Sequence, residues 1–347
     1  MSTQRLFIHV AAAALISSAI SAQAFEALPA TVPVPADNPM SKAKVELGKQ
    51  LFFDPRLSVD GTISCNSCHN VMASGTDNRP VSVGVAGQRG GRSAPTVWNA
   101  AFLTAQFWDG RAATLEDQAK GPILNPVEMG MPSPQAAVER IKAIPGYAEQ
   151  FKVVFGGGDP VSYDNIAKAI GAYERTLITR DSAFDRYMKG DKKAISAQAR
   201  RGMKLVEDTG CTGCHNGPNF AGPTSLPMGQ GFYQNFPTFT DNEYVKKYRL
   251  DKDQGRYEAT KDDADKHMWR VPTWRNVALT APYFHNGAVA TLDEAVRVMA
   301  KTQLNKDLSD EQVAEIVAFL NTLSGEFPPQ SLPRLPATPN SSPVAGK

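Results

Sequence analysis

Past residue 24 the chain has no apolar run approaching the roughly 20 residues that a membrane-spanning helix needs. Neither sign of charge dominates: 37 Lys and Arg face 35 Asp and Glu, a formal net charge of +2, too balanced to point to nucleic acid or an anionic membrane. Cysteine and histidine are scarce, with four and five in 347 residues. Four cysteines exclude a disulfide-dense scaffold, and 42% hydrophobic against 21% charged residues lets the chain pack an ordinary core without one. The length suits two domains.

The apolar run that does exist is N-terminal. Arg5 supplies a positive start, Leu6 to Ile20 is interrupted only by His9, Ser17 and Ser18, and Ala22-Gln23-Ala24 is a small-x-small cleavage site. Residues 1–24 therefore read as a secretory signal, with an exported, periplasmic product and no stable membrane insertion.

The placement of the cysteines carries the chemistry. Cys65-Asn66-Ser67-Cys68-His69 and Cys211-Thr212-Gly213-Cys214-His215 use all four. Two thiols spaced this way add to the two vinyl groups of one haem, and the histidine that follows offers its imidazole to the iron. Two disulfides, or a zinc site, would leave the histidine after both pairs unexplained. A thioredoxin-like redox pair needs a βαβ context, and the surroundings read as helix. The expected cofactors are two covalently bound haems c.

The chain also repeats itself around the motifs. Pro95-Thr96-Val97-Trp98-Asn99 matches Pro272-Thr273-Trp274-Arg275-Asn276, and Ala113-Thr114-Leu115-Glu116 matches Ala290-Thr291-Leu292-Asp293. Ile170 to Leu177 matches Ile316 to Leu323. Each copy reads as helix, haem motif, loop, Pro-Thr-x-x-Asn segment and closing helix. Ser41 and Ser196 are expected caps of the leading helices. The first closing helix is expected from Asp164, burying Ile166, Ile170, Tyr173 and Leu177. The second is expected from a Ser309/Gln312 capping box to a stop at Gly325. The expected fold is mainly α: two cytochrome c-like domains, each around one covalent haem, with long loops and an extended tail. The expected divisions are 1–24 signal, 25–178 first domain, 179–327 second domain and 328–347 Pro-rich tail.

The sixth ligands decide the function, because an iron with two strong axial ligands passes electrons and one with an open position does chemistry. His9 leaves with the signal, and His69 and His215 are proximal, which leaves His267 and His285, both in the second half. No histidine lies between 69 and 215, so the first haem has no distal imidazole in its own domain. For the second haem, Met299 is the best-placed thioether, in competition with Met203, Met228 and Met268. One haem reads as a relay and the other as open.

On these residues, together with Leu51-Phe52-Phe53-Asp54-Pro55-Arg56-Leu57-Ser58, Phe107-Trp108-Asp109-Gly110-Arg111-Ala112, Pro126-Val127-Glu128-Met129 and Arg275 to His285, the chain resembles bacterial dihaem cytochrome c peroxidases over nearly its whole mature length. The resemblance implies a peroxidatic haem on His69 and a high-potential haem on His215 and Met299. It implies that Glu128 is the acid–base carboxylate, Gln118 orients peroxide, Phe107 lines the pocket and Trp108 lies between the haems. It implies a calcium ion held by the carbonyls of Thr280 and Pro282, with Ser93 where the family often has Asn. The implied partners are hydrogen peroxide and a monohaem cytochrome c or cupredoxin donor, in a homodimer. Read alone, Glu128 is a solvated surface carboxylate, and Gln118 and Trp108 are helix surface and core.

The best-known members carry a distal His sixteen positions after the first proximal one, and here that residue is Val85. The first haem is therefore expected to be open in the oxidised state unless Met72, Met129 or Met131 caps it. Two other functions fit a dihaem chain. One is a relative that matures a tryptophan-derived quinone and uses a distal Tyr where this chain has Met299. The other is a carrier without catalysis, in which both haems are six-coordinate.

Overall fold

In the computed structural model, residues 25–223 and 225–338 are described; the expected signal, residues 1–24, lies outside them. The protein is mainly helical, and the first half is built on α1 (Lys42–Phe53), α2 (Cys65–Cys68), α3 (Leu115–Leu124), α4 (Pro134–Lys142), α5 (Pro145–Phe155) and α6 (Tyr163–Glu174). The second has α7 (Ala183–Met188), α8 (Ala197–Thr209), α9 (Glu243–Tyr248), α10 (Tyr257–Thr260), α11 (Leu292–Leu304) and α12 (Asp310–Asn321). A two-stranded antiparallel ribbon, β1 (Tyr233–Asn235) and β2 (Met268–Arg270), pairs Tyr233 with Arg270.

Short polar side chains start the helices. Ser41, Thr114, Ser196 and Thr291 each accept the backbone N–H three residues on, a cap worth about 1 kcal/mol. The first closing helix, α6, starts one residue before the expected Asp164 because Ser162 caps it, and Leu177 is buried just past its end. The second, α12, has the expected Ser309/Gln312 box but ends at Asn321. Gly325 is not its stop. A Cβ there would meet the Thr179 carbonyl oxygen at 2.7 Å, so the residue is glycine to let two chain segments touch.

The repeat is visible in backbone detail. α1 crosses α6 at Gly48, where a Cβ would overlap the carbonyl of Ala169, and α8 crosses α12 at Gly202, where it would overlap that of Glu315. Asn99 and Asn276, 177 positions apart, are both left-handed, as are Phe107 and Phe284 at the same spacing. Thr179 sits between the two asparagines: Asn99 Nδ2 and Asn276 Nδ2 donate to its Oγ1 at 2.8 and 3.0 Å. A core around Leu47, Phe52, Trp98, Tyr147 and Ile170 fills the first half, and one around Phe184, Phe220, Ile316 and Phe319 the second. The buried Arg275–Asp185 ion pair, at 2.9 Å, lies beside the latter. The segment after Phe327 returns over the first half, where Tyr173 donates to Gln330 and Arg56 to the Pro336 carbonyl.

Candidate active site

Each Cys-x-x-Cys-His motif opens onto its own cleft. The first is lined by Cys68, His69, Phe107, Trp108, Gln118, Pro122, Glu128 and Glu174, among others. The second is lined by Cys211, Cys214, His215, Ala295, Met299 and Leu320, among others. Segment 93–96 and Trp108 border both, so one thin wall separates them.

The residues present fit a haem in each cleft. The four cysteines are unpaired. His69 Nδ1 lies 3.0 Å from the Pro95 carbonyl oxygen and His215 Nδ1 3.1 Å from that of Phe220. A carbonyl only accepts, so each Nδ1 carries the proton and each Nε2 keeps a free lone pair, as an iron ligand requires. Burial pushes His215 down to about 4 and His69 below its ordinary value, which keeps both neutral. Arg270, at the border of the second cleft, is buried with no carboxylate partner among the described residues. Its guanidinium donates only to the carbonyls of Phe107 and Val271. A buried cation of this kind suits a haem carboxylate.

In the first cleft the loop after the haem motif folds onto the Pro126–Glu128 turn. Val85 N–H donates to the Glu128 carbonyl at 2.9 Å, and Gly84 packs so closely that a Cβ would overlap the Val127 carbonyl. Glu128 is partly buried and accepts from Asn125 Nδ2 at 2.6 Å. Burial raises its pKa, opposed by Arg111 and by the Asn125 hydrogen bond. Gln118 and Pro122 face the same cleft from α3. Phe107 is held at φ +67° with the Arg111 guanidinium 3.5 Å from its ring centre, and that ring lies against Gly121. Trp108 Nε1 donates to the Ser93 carbonyl at 2.8 Å, in the wall between the clefts.

Met299 is the one methionine lining the second cleft among the described residues. It lies inside α11, whereas Met203 packs in the neighbouring core, Met228 is exposed and Met268 is in β2. In the first half Met129 and Met131 are core residues, Met72 is exposed, and none of the three lines the cleft. Ser93, Thr280 and Pro282 all line the second cleft. The Thr280 and Pro282 carbonyls accept no hydrogen bond among the described residues, and neutral oxygens of this kind suit a hard cation such as calcium.

A model of the di-haem cytochrome c peroxidase family matches residues 42–193. Cytochrome c551 peroxidase of Pseudomonas aeruginosa is 47% identical over 324 residues, covering 92% of this chain and 89% of that protein. Cytochrome c551 peroxidase of Nitrosomonas europaea is 44% identical, covering 90% and 89%. The chain belongs to the di-haem cytochrome c peroxidase family. Among solved structures, a MauG-like protein associated with microbial copper homeostasis superposes with a TM-score of 0.73 at 31% identity, covering 86% of this chain and 95% of that one.

Within this peroxidase family member, sequence reasoning missed Arg270, Glu174 and Asn125. A signal for the cleft residues was present in the repeat. Residues 177 apart occupy equivalent places in α3 and α11, which pairs Met299 with Pro122 and Ala295 with Gln118. The position that gives the second cleft a thioether gives the first a proline, which has no ligating atom.

Proposed function

We propose that this chain reduces hydrogen peroxide to water in the periplasm, with two electrons from a small redox protein. The observation that carries the reading is the contrast between the clefts: Glu128, Gln118 and Pro122 beside His69, against Ala295 and Met299 beside His215. The first haem, when bound, supplies an iron at which peroxide is cleaved. Glu128 takes the proton from the near peroxide oxygen and returns it to the leaving oxygen, general acid–base work of the kind that contributes about 10²–10⁴ in rate. Gln118 orients peroxide and Phe107 walls the pocket. Trp108 gives electrons a path through the wall. His215 and Met299 would hold the second haem, which when bound would supply an electron relay.

The donor is a monohaem cytochrome c or a cupredoxin, docking transiently near the second haem. The chain divides into a 25–178 peroxidatic domain and a 179–327 electron-transfer domain, both cytochrome c-like. Ser93, Thr280 and Pro282 border a calcium site between them, and the active form is a homodimer.

With Val85 in place of a distal histidine, activity needs no prior reduction. Steady-state peroxide consumption is measured with a reduced cytochrome c, with and without pre-reducing the enzyme, alongside electron paramagnetic resonance of the oxidised protein. Equal rates and a high-spin ferric signal are expected. A purely low-spin spectrum with activity only after pre-reduction refutes the open site, and no peroxide turnover refutes the function.

A further inference from the structure

Glu174 closes α6 with its side chain in the first cleft. It is 5% exposed, and its Oε2 has no hydrogen-bond partner among the described residues. Native proteins leave few buried polar atoms unpaired, because each loses its hydrogen bonds to water without replacement. The adjacent Arg175 does not neutralise it, since that guanidinium is engaged by Glu116 through two hydrogen bonds, at 2.5 and 2.9 Å. The repeat supplies an internal control. The residue 146 positions on is Leu320, which is buried, belongs to the second core and lines the second cleft. The fold is thus satisfied by leucine at this place, and the carboxyl is an addition specific to the cleft of His69.

We propose that Glu174 is a redox-linked proton site, taking up one proton when the first cleft gains one electron and releasing it on reoxidation. The inference rests on reading that cleft as a haem site. One electron, from the donor or an electrode mediator, lowers the charge of the cleft by one, and one proton from solvent converts the Glu174 carboxylate to the acid. Reducing one peroxide to two waters consumes two electrons and two protons, so a buried group that loads a proton with an electron supplies what Glu128, which returns the proton it takes, does not. Adding negative charge in a low-dielectric cleft raises a neighbouring carboxyl's proton affinity whatever the starting charge.

The titratable groups facing Glu174 are Glu116 on α3, and Arg175 and Tyr173 beside it; Cys65 on α2 is also near, but joined to a haem it carries no titratable proton. Lys44 on α1 faces the Glu116–Arg175 pair. Burial, with Glu116 in support, pushes Glu174 up to about 8, so it titrates in an accessible range.

The test is potentiometric, on the holoenzyme. The midpoint potential of each haem is measured optically from pH 5 to 10 in wild type, Glu174→Gln and Glu174→Leu. Glutamine preserves shape without titrating, and leucine is the residue of the sister position. The wild-type first haem is expected to fall by as much as about 59 mV per pH unit across a window bounded by the carboxyl's oxidised-state and reduced-state pKa values, the constant for one proton per electron. Both variants should lose that slope, and the second haem's dependence should not move. A first-haem slope that survives in Glu174→Gln, or is missing from wild type, overturns the proposal. Peroxide turnover is measured separately and reads the proposed function alone.

Discussion

Glutamate 128 offers a quantitative test of the acid–base role. Its carboxyl is raised by burial and restrained by Arg111 and by the Asn125 amide at 2.6 Å. Removing the base with Glu128→Gln should slow single-turnover reaction with peroxide by about 10²–10⁴, or roughly 3–5 kcal/mol of barrier. Changing the restraint is more discriminating. A hydrogen bond to a charged group is worth about 1.5–3 kcal/mol, and one pKa unit is about 1.36 kcal/mol, so losing the Asn125 donor raises Glu128 by about one to two units. Asn125 also accepts the Val127 N–H through Oδ1, and Asn125→Asp keeps that acceptor while it removes the donor. The reaction needs the ionised form of a carboxyl whose pKa is already above 4.5, so activity is present above that raised pKa and lost as pH falls through it. In Asn125→Asp the acid limb should move up by at least that amount, with the high-pH plateau retained. Stopped-flow mixing of peroxide with the enzyme, without the donor, avoids the pH dependence of docking. A near-wild-type Glu128→Gln, or an acid limb that stays in place in Asn125→Asp, refutes the assignment.

Three further outcomes are expected. Met299→Leu should turn the second haem high-spin and abolish donor-driven turnover while peroxide still reacts at the first; an unchanged low-spin spectrum refutes Met299 as ligand. Arg275→Met leaves Asp185 buried and unpaired and should cost about 3–5 kcal/mol in denaturant unfolding; a loss under 1 kcal/mol shows that the pair does not matter. Chelation followed by calcium readdition should lower and then restore the thermal midpoint and the turnover, and indifference of both removes calcium from the account.

The two clefts were legible in the sequence because covalent attachment demands cysteines and histidine in one short run. The leading and closing helices were legible because a capping side chain and a 3.6-residue stripe are local. Gly325 was misread for the same reason: a glycine after a helix has the look of a stop, and its actual constraint, contact with Thr179, is 146 residues away in the chain. His285, one of the two histidines the sequence leaves without a place, stacks its ring on Trp269 at 4.2 Å, and its Nε2 has no hydrogen-bond partner among the described residues. Arg270 and Glu174 left no local trace. An arginine in a short strand and a glutamate at the end of a helix are ordinary surface choices, and only the tertiary fold turns them inward. The roles expected of Glu128, Gln118 and Trp108 come from resemblance alone, and the fold adds that all three line one cleft.

The repeat also constrains why the two sites differ. Both halves keep the left-handed asparagine and phenylalanine, the capping threonine and the glycine at the helix crossing, so the framework places equivalent side chains in each cleft. The differences then fall at few positions. Gln118, Pro122 and Glu174 stand in the first cleft where Ala295, Met299 and Leu320 stand in the second. Electron transfer is served by a closed, apolar pocket whose ligands need not move, and a buried carboxyl there would only add a desolvation cost. Peroxide chemistry needs the reverse: an open face, a hydrogen-bonding partner and groups that hold protons. Each of the three exchanges runs in the direction that this division requires. A non-catalytic carrier gives no reason for two of the three to introduce polar groups into one haem pocket at a cost in stability.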